Sequence, residues 1–302
     1  MNKKNLILVT GLLRSGTTWT GKTIAAAKGI KYLNEPFNLD RQRKNCPFKY
    51  YYQFIDSNDK ISDQTAIIDY INHISQSPTF YVSDQMRLMF RYKAFKNILP
   101  LLWGKKNFFG RPLMKDPIAI LSAEWIYKTF GADVVIVLRH PAAFIGSLKT
   151  AGWAIPFPHL LEQKRMLNMY FNEFIPKLES YSKNHYDVID QGILIWNIVY
   201  SRIKYYSDIY KNEWYFIKHE ALSKNSIVEY TKLFNFLGIE FSDKIKSIIA
   251  KSSDGSSINH LSRNSVQNLE TWKTRLTQEE ISRIKSGTSN LYSYFYDEKD
   301  WN

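Results

Sequence analysis

A short apolar run followed by a glycine-bounded turn constrains this chain more than any other feature. Leu6–Thr10 contains four consecutive apolar residues before a threonine, and this pattern predicts a strand that is buried on both faces. Gly11–Ser15 then predicts a tight turn, and Gly16–Lys28 predicts a helix that opens with small hydroxyl residues. Ile30–Leu33 predicts a second strand. A strand, a turn, a helix and a strand in this order form a βαβ unit.

The rest of the chain continues the alternation of strands and helices. Further strands are predicted at Leu113–Lys115, Asp133–Leu138 and Trp214–Lys218. Helices are predicted at Ile61–Ser75, Gln85–Leu99, Ile118–Phe130, Ala142–Thr150, Leu160–Tyr181, Asp187–Tyr210 and Ser223–Leu237. We therefore predict a single α/β domain over residues 1–302, with a central parallel sheet and a P-loop-type nucleotide-binding fold. The helical segments 37–111 and 151–210 are expected to be insertions that form a ligand cleft.

The turn between the first strand and the first helix has the composition of an anion-binding loop. Backbone N–H groups at a helix N-terminus, together with the helix dipole, bind phosphate groups. Gly11 and Gly16 let the backbone wrap around such an anion. Thr17 and Thr18 add hydroxyl donors, and Arg14 adds a fixed positive charge. The turn therefore predicts a ligand with a phosphate-type group.

The same region also matches the Walker A pattern of P-loop kinases and NTPases in a second register. Gly16–Thr23 fits G-x-x-x-x-G-K-[ST] letter for letter, with Lys22 as the lysine of the pattern. That register begins late, because the first glycine of a Walker A loop follows its strand directly, as Gly11 does here. It also places Trp19 where the backbone must approach the phosphates closely. A P-loop kinase or NTPase using Gly16–Thr23 stays as the alternative prediction.

A second phosphate-type pattern follows the most apolar of the predicted strands. Arg139 comes directly after Asp133–Leu138, at the carboxyl end of the strand, where ligands bind in open α/β sheets. Ser147 lies eight residues later, in the first turns of the next helix. An arginine fork and a hydroxyl in this arrangement could hold a second phosphate. An arginine after a strand is common, so this second pattern indicates a phosphate site only in combination with the first pattern.

Taken together, the two patterns resemble those of sulfotransferases that use PAPS (3′-phosphoadenosine-5′-phosphosulfate), in particular bacterial, carbohydrate-sulfotransferase-like members. Arg14-Ser15-Gly16-Thr17-Thr18-Trp19 is similar to the loop of that family that binds the 5′-phosphosulfate. The resemblance implies that Arg14 is catalytic beside the transferring sulfo group and that Trp19 stacks on adenine. It also implies that Ser15, Gly16, Thr17 and Thr18 hold the 5′-phosphosulfate. Arg139 and Ser147 are similar to the family's 3′-phosphate motif.

Four further segments carry the same resemblance. Glu35, in Glu35-Pro36, looks like a glutamate of carbohydrate sulfotransferases that is a proposed base or ligand of the acceptor hydroxyl, and it is predicted to be catalytic. Lys115-Asp116-Pro117 resembles a segment that is common in bacterial members. His219 stands where the family usually has a tyrosine, which leaves a contact with adenine open. Arg263 resembles an arginine of the C-terminal loop that closes over the 3′-phosphate.

Neither the histidines nor the single cysteine predicts a metal site. The six histidines have no metal-ligand spacing, no acidic cluster accompanies them, and Cys46 excludes both a disulfide and a cysteine-based metal site. No metal is therefore expected. The general base stays open between Glu35, Asp116 and a histidine such as His159 or His260.

The net charge and the lengths of the apolar runs indicate which partners the protein binds and in which cell compartment it lies. The formal net charge of +13 favours anionic partners. The basic residues are scattered, without a zinc-finger spacing or an RNA-binding aromatic signature, so no nucleic acid is expected and a nucleotide is the preferred anion. Because no apolar run has the length of a signal peptide core or a transmembrane helix, we predict a cytoplasmic protein.

The sequence thus predicts an enzyme that transfers the sulfo group from PAPS to a hydroxyl of a small-molecule or glycan acceptor and releases PAP (adenosine 3′,5′-bisphosphate). A carbohydrate is the expected acceptor, and segments 37–111 and 151–210 are the expected walls of the acceptor cleft. Besides the kinase, the rivals are a nucleic-acid-binding module and a catalytically inactive protein that binds PAP. The oligomeric state is not predicted.

Overall fold

The computed structural model describes residues 6–77, 86, 110–184, 186–253 and 269–301, and one parallel sheet organises them. The strands in this part of the chain are β1 (Ile7–Gly11), β2 (Ile30–Asn34), β3 (Arg111–Lys115), β4 (Asp133–Leu138) and β5 (Tyr215–Lys218). Their order across the sheet is β2-β3-β1-β4-β5, and every neighbouring pair is parallel. The strand that comes first in the chain is therefore the central one. The predicted α/β class with a parallel sheet is confirmed.

The central strands are apolar on both faces because helices cover both sides of the sheet. All residues of β1 are buried. Leu8 of β1 and Ile136 of β4 belong to one apolar cluster, whereas Val9 and Val135 belong to a second. Successive side chains of a strand point to opposite faces, so one cluster lies on each side of the sheet. Burial on both faces explains why Leu6–Thr10 shows no alternation of apolar and polar residues.

Helices make up most of the remaining structure. In the described part of the chain they are α1 (Thr17–Ala25), α2 (Ile61–Gln76), α3 (Ala123–Phe130), α4 (Pro141–Ala151), α5 (Phe157–Leu161), α6 (Lys164–Tyr170), α7 (Ile175–Lys183), α8 (Val188–Ile209), α9 (His219–Lys224), α10 (Ser226–Leu237), α11 (Asp243–Ser253), α12 (Thr271–Arg275) and α13 (Gln278–Phe295). Helices α1, α10 and α11 contribute to the second apolar cluster, and α4 and α8 contribute to the first. Within the described ranges, no helix has the length and hydropathy of a transmembrane span.

The predicted long helix Leu160–Tyr181 is wrong, because the chain there is divided into α5, α6, a 3-10 turn at Asn172–Phe174, and α7. Gln163 interrupts it with a non-helical backbone (φ −88°, ψ 58°). Its side-chain oxygen accepts a hydrogen bond from the Phe54 N–H at 2.7 Å, and its amide nitrogen donates to the Tyr52 carbonyl at 3.2 Å. A contact made across more than one hundred residues of chain thus outweighs the local helical pattern.

Of two other predicted helices, one is divided in the structure and one lies almost wholly outside the described residues. The predicted helix Ser223–Leu237 is divided into α9 and α10, because Asn225 has a non-helical backbone (φ −130°, ψ 50°). The predicted helix Gln85–Leu99 lies outside the described residues, apart from Met86. By contrast, α8 matches the predicted Asp187–Tyr210 closely, and the Asp187 side chain caps it by accepting a hydrogen bond from the Asp190 N–H.

The carboxyl ends of all five strands meet at one edge of the sheet, which we call the carboxyl edge. In a parallel sheet this edge gathers the residues that follow each strand. Here those residues are Leu12, Glu35, Asp116, Arg139 and His219. Four of the five had been singled out from the sequence, and the topology brings them to one side of the molecule.

Candidate active site

The turn after β1 is a compact loop that ends at the N-terminus of α1. Ser15 closes it, because its backbone N–H and its hydroxyl both donate to the Leu12 carbonyl, at 3.1 and 2.6 Å. Gly11 lies against β4, where an added Cβ would come within 2.3 Å of the Val137 carbonyl oxygen. Gly16 caps α1 with a φ of 96°, and a Cβ there would come within 2.4 Å of the His219 Nδ1. A side chain at either position of the predicted loop would collide with a neighbouring atom, so both positions require glycine.

The N-terminus of α1 has the groups of an anion-binding site. Its first turn carries no acidic side chain. No described residue accepts a hydrogen bond from the backbone N–H of Gly16, Thr17 or Thr18. The first N–H groups of a helix have no partner within the helix, so they are available to a ligand. The Thr18 side chain is exposed and the Thr17 side chain is buried beneath it.

The two predicted phosphate motifs meet beside this loop. The Arg14 Nε donates a hydrogen bond to the Ser147 Oγ at 2.9 Å. The Arg139 guanidinium donates to the backbone carbonyl of Arg14. The strand register pairs Gly11 of β1 with Val137 of β4, and this pairing brings the segments after the two strands side by side. Two guanidinium groups and one buried hydroxyl therefore converge at the carboxyl edge.

Arg139 is held in place by its backbone and is nearly enclosed. The Tyr200 hydroxyl accepts a hydrogen bond from the Arg139 N–H and donates one to the Arg139 carbonyl, each at 2.7 Å. Burial lowers the pKa of the Arg139 guanidinium to about 10, with a further lowering by the positive charge of Arg14, while Glu220 acts in the opposite direction. The group therefore remains a cation at neutral pH, where an anionic ligand would be attracted to it.

Trp19 and His219 pack against each other beside the start of α1. The ring of Trp19 is half-buried and meets His219 edge-on at 5.9 Å and Tyr230 edge-on at 5.5 Å. Burial lowers the pKa of His219 to about 3, and the nearby Arg139 contributes, so the imidazole is neutral. His219 fills the space that the missing side chain of Gly16 leaves. The structure thus gives His219 a packing contact with the loop, and a contact with adenine stays a prediction.

Glu35 follows β2 and is surrounded by hydrogen-bond donors. Lys115 bonds to its Oε1, Arg41 to its Oε2 at 3.1 Å, and Asn38 to its Oε2 at 2.8 Å. Burial by itself would raise the pKa of Glu35, but Lys115, Asn38 and Arg41 outweigh it and lower the pKa to about 2. Glu35 is therefore a carboxylate at every physiological pH, which makes it a good hydrogen-bond acceptor and a weak base.

Asp116 lies next to Glu35 but does not face a cleft, because it is fully buried. One of its oxygens accepts a hydrogen bond from the Phe37 N–H at 2.6 Å, and the other accepts one from the Ile118 N–H at 3.1 Å. Burial, followed by the negative charge of Glu35, raises the pKa of Asp116 to about 7. These contacts tie the segment after β2 to the segment after β3. Asp116 is thus placed to position Glu35 and Lys115 rather than to touch a ligand.

The remaining sequence predictions concern two histidines, one arginine and the absence of a metal site. The His159 Nδ1 accepts a hydrogen bond from the Tyr51 N–H at 3.3 Å, which gives this ring a structural contact. Arg263 and His260 lie outside the described residues. No group of three or more His, Cys, Asp and Glu side chains among the described residues is arranged to hold a metal ion. The absence of a metal from the reaction stays a prediction.

Sequence reasoning missed two arginines and a tryptophan. Arg41 bonds to the Glu35 carboxylate, and Arg43 donates to the backbone carbonyls of Asn34 and Glu35 at 2.7 and 2.5 Å. Two arginines within eight residues of a conspicuous Glu-Pro pair were the available signal. The third residue is Trp153, whose ring centroid lies 5.2 Å from the Arg14 Cζ. No local pattern in the sequence joins these two positions.

The Walker A register does not fit the structure. Gly16 is the cap of α1, so the remaining residues of Gly16–Thr23 are helical. Lys22 lies in the last turn of α1 with its side chain exposed, whereas the lysine of a P-loop reaches the phosphates from the start of the helix. Gly21 packs against the side chain of Lys115, away from the loop. The residues that match the Walker A pattern therefore form a helix and not a phosphate-binding loop.

The comparison with protein families decides the class of the enzyme. The family model described as "Sulfotransferase family" matches residues 7–243, which is more than half of the chain. The chain belongs to the sulfotransferase family. The prediction of a PAPS-dependent sulfotransferase is confirmed at the level of the family and of the type of enzyme. This match does not extend to the carbohydrate-sulfotransferase-like subtype or to the acceptor, which stay predictions.

Solved sulfotransferase structures are similar to this sulfotransferase at low sequence identity. The sulfotransferase domain from the curacin biosynthetic pathway is 14% identical, with a TM-score of 0.49 and with 94% of this chain and 96% of that chain covered. The sulfotransferase domain from the olefin synthase of Synechococcus PCC 7002 is 15% identical, with a TM-score of 0.48 and coverage of 98% and 97%. Mouse sulfotransferase SULT7A1, complexed with PAP, is 12% identical, with a TM-score of 0.46 and coverage of 99% and 87%. No curated protein matches the chain.

Proposed function

We propose that this sulfotransferase moves the sulfo group of PAPS directly to a hydroxyl of a carbohydrate or glycan acceptor. The observation that carries the proposal is the meeting of the two phosphate motifs, in which Arg14 contacts both Ser147 and Arg139. PAPS carries a 5′-phosphosulfate and a 3′-phosphate on one nucleoside. Two anion-binding motifs on neighbouring strands match two anionic groups of one ligand, whereas ATP carries its phosphates in a single chain.

The donor would be held by the loop and by the segment after β4. The N–H groups of Gly16, Thr17 and Thr18 would bind the 5′-phosphosulfate. Ser15 would contribute through the shape of the loop, because its hydroxyl is already bonded to Leu12.

The 3′-phosphate and the adenine would be bound by side chains around that loop. Arg139 and Ser147 would bind the 3′-phosphate, and we assign Arg263 to the same group by resemblance. Trp19 would stack on adenine, a contact that contributes about 1–3 kcal/mol in comparable sites.

The chemical step is an in-line displacement at sulfur. The acceptor oxygen forms a bond to sulfur while the bond between sulfur and the bridging oxygen of the 5′-phosphate breaks. The products are a sulfate ester, PAP and the proton of the acceptor hydroxyl. Arg14 would stabilise the negative charge that develops on the bridging oxygen, as fixed cations do in related group transfers.

Glu35 is proposed to orient the acceptor hydroxyl. Its carboxylate is already ionised and would accept a hydrogen bond from the attacking hydroxyl, whose proton becomes acidic as the new bond to sulfur forms. The polar groups around it, including Arg41 and Asn38, suit an acceptor with several hydroxyls better than an apolar one. This arrangement, together with the Glu35-Pro36 resemblance, supports a carbohydrate, and segments 37–111 and 151–210 would form the acceptor cleft.

A thermal-shift titration tests the donor assignment first. A ligand that binds only the folded protein raises its melting temperature, so PAP, PAPS, AMP and Mg-ATP can be compared side by side. Stabilisation by PAP and PAPS, with a much weaker effect of AMP and none of Mg-ATP, is the expected outcome. Stabilisation by Mg-ATP alone would contradict the proposal. Transfer from radiolabelled PAPS to a panel of glycans then tests the acceptor class.

A further inference from the structure

Trp153 is a large aromatic side chain that remains half exposed beside the proposed catalytic arginine. It follows α4, the helix that carries Ser147, and 51% of its surface is open to solvent. Its ring lies over the Arg14 guanidinium, 5.2 Å from the Cζ to the ring centroid. A flat apolar ring at this place would offer a bound ligand a contact surface directly beside the group that we assign to the reaction.

The segment that carries Trp153 is fixed on both sides of the ring. Gly152 ends α4 in the left-handed conformation (φ 63°), and its N–H donates to the Lys149 carbonyl at 3.2 Å. Two residues after Trp153, the Ile155 side chain is buried and the Ile155 N–H donates to the Gln191 side chain of α8 at 3.1 Å. The ring is therefore presented by an anchored turn, and its exposure does not come from a long unsupported loop.

The position of Trp153 relative to Arg14 defines where a ligand on the ring would lie. Arg14 contacts the ring of Trp153 and also the Ser147 hydroxyl, so the three side chains form one continuous group. A molecule resting on the exposed part of the indole would reach the guanidinium that we assign to the transferring sulfo group. The donor nucleotide has its own proposed aromatic contact at Trp19, whose ring neighbours are His219 and Tyr230. The exposed indole is thus left for the acceptor.

We propose that Trp153 is the stacking surface for the acceptor and that the acceptor is bound as a pyranose ring with its hydroxyl directed toward Arg14. The C–H face of a pyranose is flat enough to lie against an indole, and its hydroxyl edge then points sideways toward polar groups. This inference rests on the proposed function and adds to it the residue that selects a ring-shaped alcohol. An open-chain alcohol cannot use the indole in this way.

The test compares ring and open-chain acceptors in Trp153 variants of the full chain. Transfer from radiolabelled PAPS is measured to a panel of methyl pyranosides and to glycerol, and PAP affinity is measured by thermal shift. For Trp153→Ala we expect kcat/KM for the pyranoside to fall roughly tenfold to a hundredfold, mainly through KM. The value for glycerol and the affinity for PAP should stay within about twofold. Trp153→Phe, which keeps a flat ring, should retain most of the activity toward the pyranoside.

A matched control and the contrary outcomes separate this inference from the proposed function. Tyr294→Ala removes a ring of comparable exposure from α13, away from the carboxyl edge, and should not alter the preference between acceptors. Equal losses for pyranosides and glycerol in Trp153→Ala, or a fall in PAP affinity, would show that Trp153 only holds Arg14. An enzyme that binds PAP but sulfates none of the pyranosides also overturns the inference and leaves the donor assignment intact. If PAP does not bind, the proposed function itself fails.

Discussion

The carboxyl edge of the sheet has two halves in which the cationic side chains have different kinds of hydrogen-bond partner. In the half formed by β1 and β4, Arg14 and Arg139 donate to neutral oxygens, a serine hydroxyl and a backbone carbonyl. In the half formed by β2 and β3, Lys115 and Arg41 are paired with the carboxylate of Glu35. These two hydrogen bonds of the first half reach uncharged oxygens, and Glu220 adds a negative charge near Arg139, whereas the second half pairs two cations with one carboxylate.

This difference fits the proposed assignment of the donor to the first half and of the acceptor to the second. The donor brings several negative charges, which charge-assisted hydrogen bonds from guanidinium groups would hold. The acceptor brings an uncharged hydroxyl and needs a fixed hydrogen-bond acceptor in a setting that does not itself bind anions. We call the two halves the donor half and the acceptor half. Four substitutions test this difference between the halves, in order of decreasing expected effect.

The largest effect is expected in the donor half, from Arg14→Ala. Removing a cation that acts on the developing charge should lower kcat by about a hundredfold to a thousandfold, with PAP affinity changed only a few-fold. Steady-state kinetics with PAPS measure the effect, and Arg14→Lys should restore part of it. The matched control is Lys22→Ala, because Lys22 is exposed on α1. A larger loss from Lys22→Ala than from Arg14→Ala would favour the kinase alternative.

In the acceptor half, Glu35→Gln should reduce stability as well as activity. The substitution leaves the Lys115 ammonium buried without its carboxylate, and breaking such a pair costs about 3 kcal/mol. Urea unfolding measures the change, and Lys115→Met added to Glu35→Gln should recover part of it. Glu270→Gln, which breaks the exposed pair with Lys273, is the control and should leave the midpoint unchanged. An unaltered midpoint in Glu35→Gln would mean that the acceptor half is not held by this pair.

The pH dependence of stability should also originate in the acceptor half. Asp116 has a pKa of about 7 in the folded state and about 3.9 when unfolded, so the folded state binds more protons between these values. Its contribution is complete below the unfolded pKa and is lost as pH rises through 7, about 2.5 kcal/mol between pH 5 and 8. The pKa of Glu35, about 2, leaves it ionised throughout this window. Asp116→Asn should remove this part of the slope, and identical slopes in both proteins would refute the assignment.

The smallest of these effects is expected for Ser147→Ala in the donor half. Losing one hydroxyl contact to a charged phosphate should weaken PAP binding by roughly tenfold. Binding of AMP, which lacks the 3′-phosphate, should be unaffected, so the ratio of the two affinities is the measurement. Ser201→Ala on α8, whose hydroxyl bonds to the Ile198 carbonyl, serves as the control. An equal loss for PAP and AMP would place the 3′-phosphate elsewhere.

The donor half was largely predictable from the sequence because its determinants are local. A buried strand, two glycines and hydroxyl residues follow each other within fifteen positions, and the predicted strand Asp133–Leu138 coincides with β4. The acceptor half was predicted less completely. Glu35 was identified, but its pairing with Lys115 joins residues 80 positions apart and could not be inferred from spacing. The contact of Trp153 with Arg14 depends in the same way on the sheet order, which sequence periodicity does not give.

The strand order described for the sheet also bears on how the chain is made at the ribosome. β1 is synthesised first, but both of its neighbours, β3 and β4, begin only at Arg111 and Asp133. At translation rates of roughly 5–20 residues per second, the first strand waits about 5–20 s before either neighbour exists. During that interval an apolar strand with two unpaired edges is exposed to other nascent chains. The turn after β1 therefore cannot gain its contacts with Val137 and Arg139 until the chain has been made through residue 139.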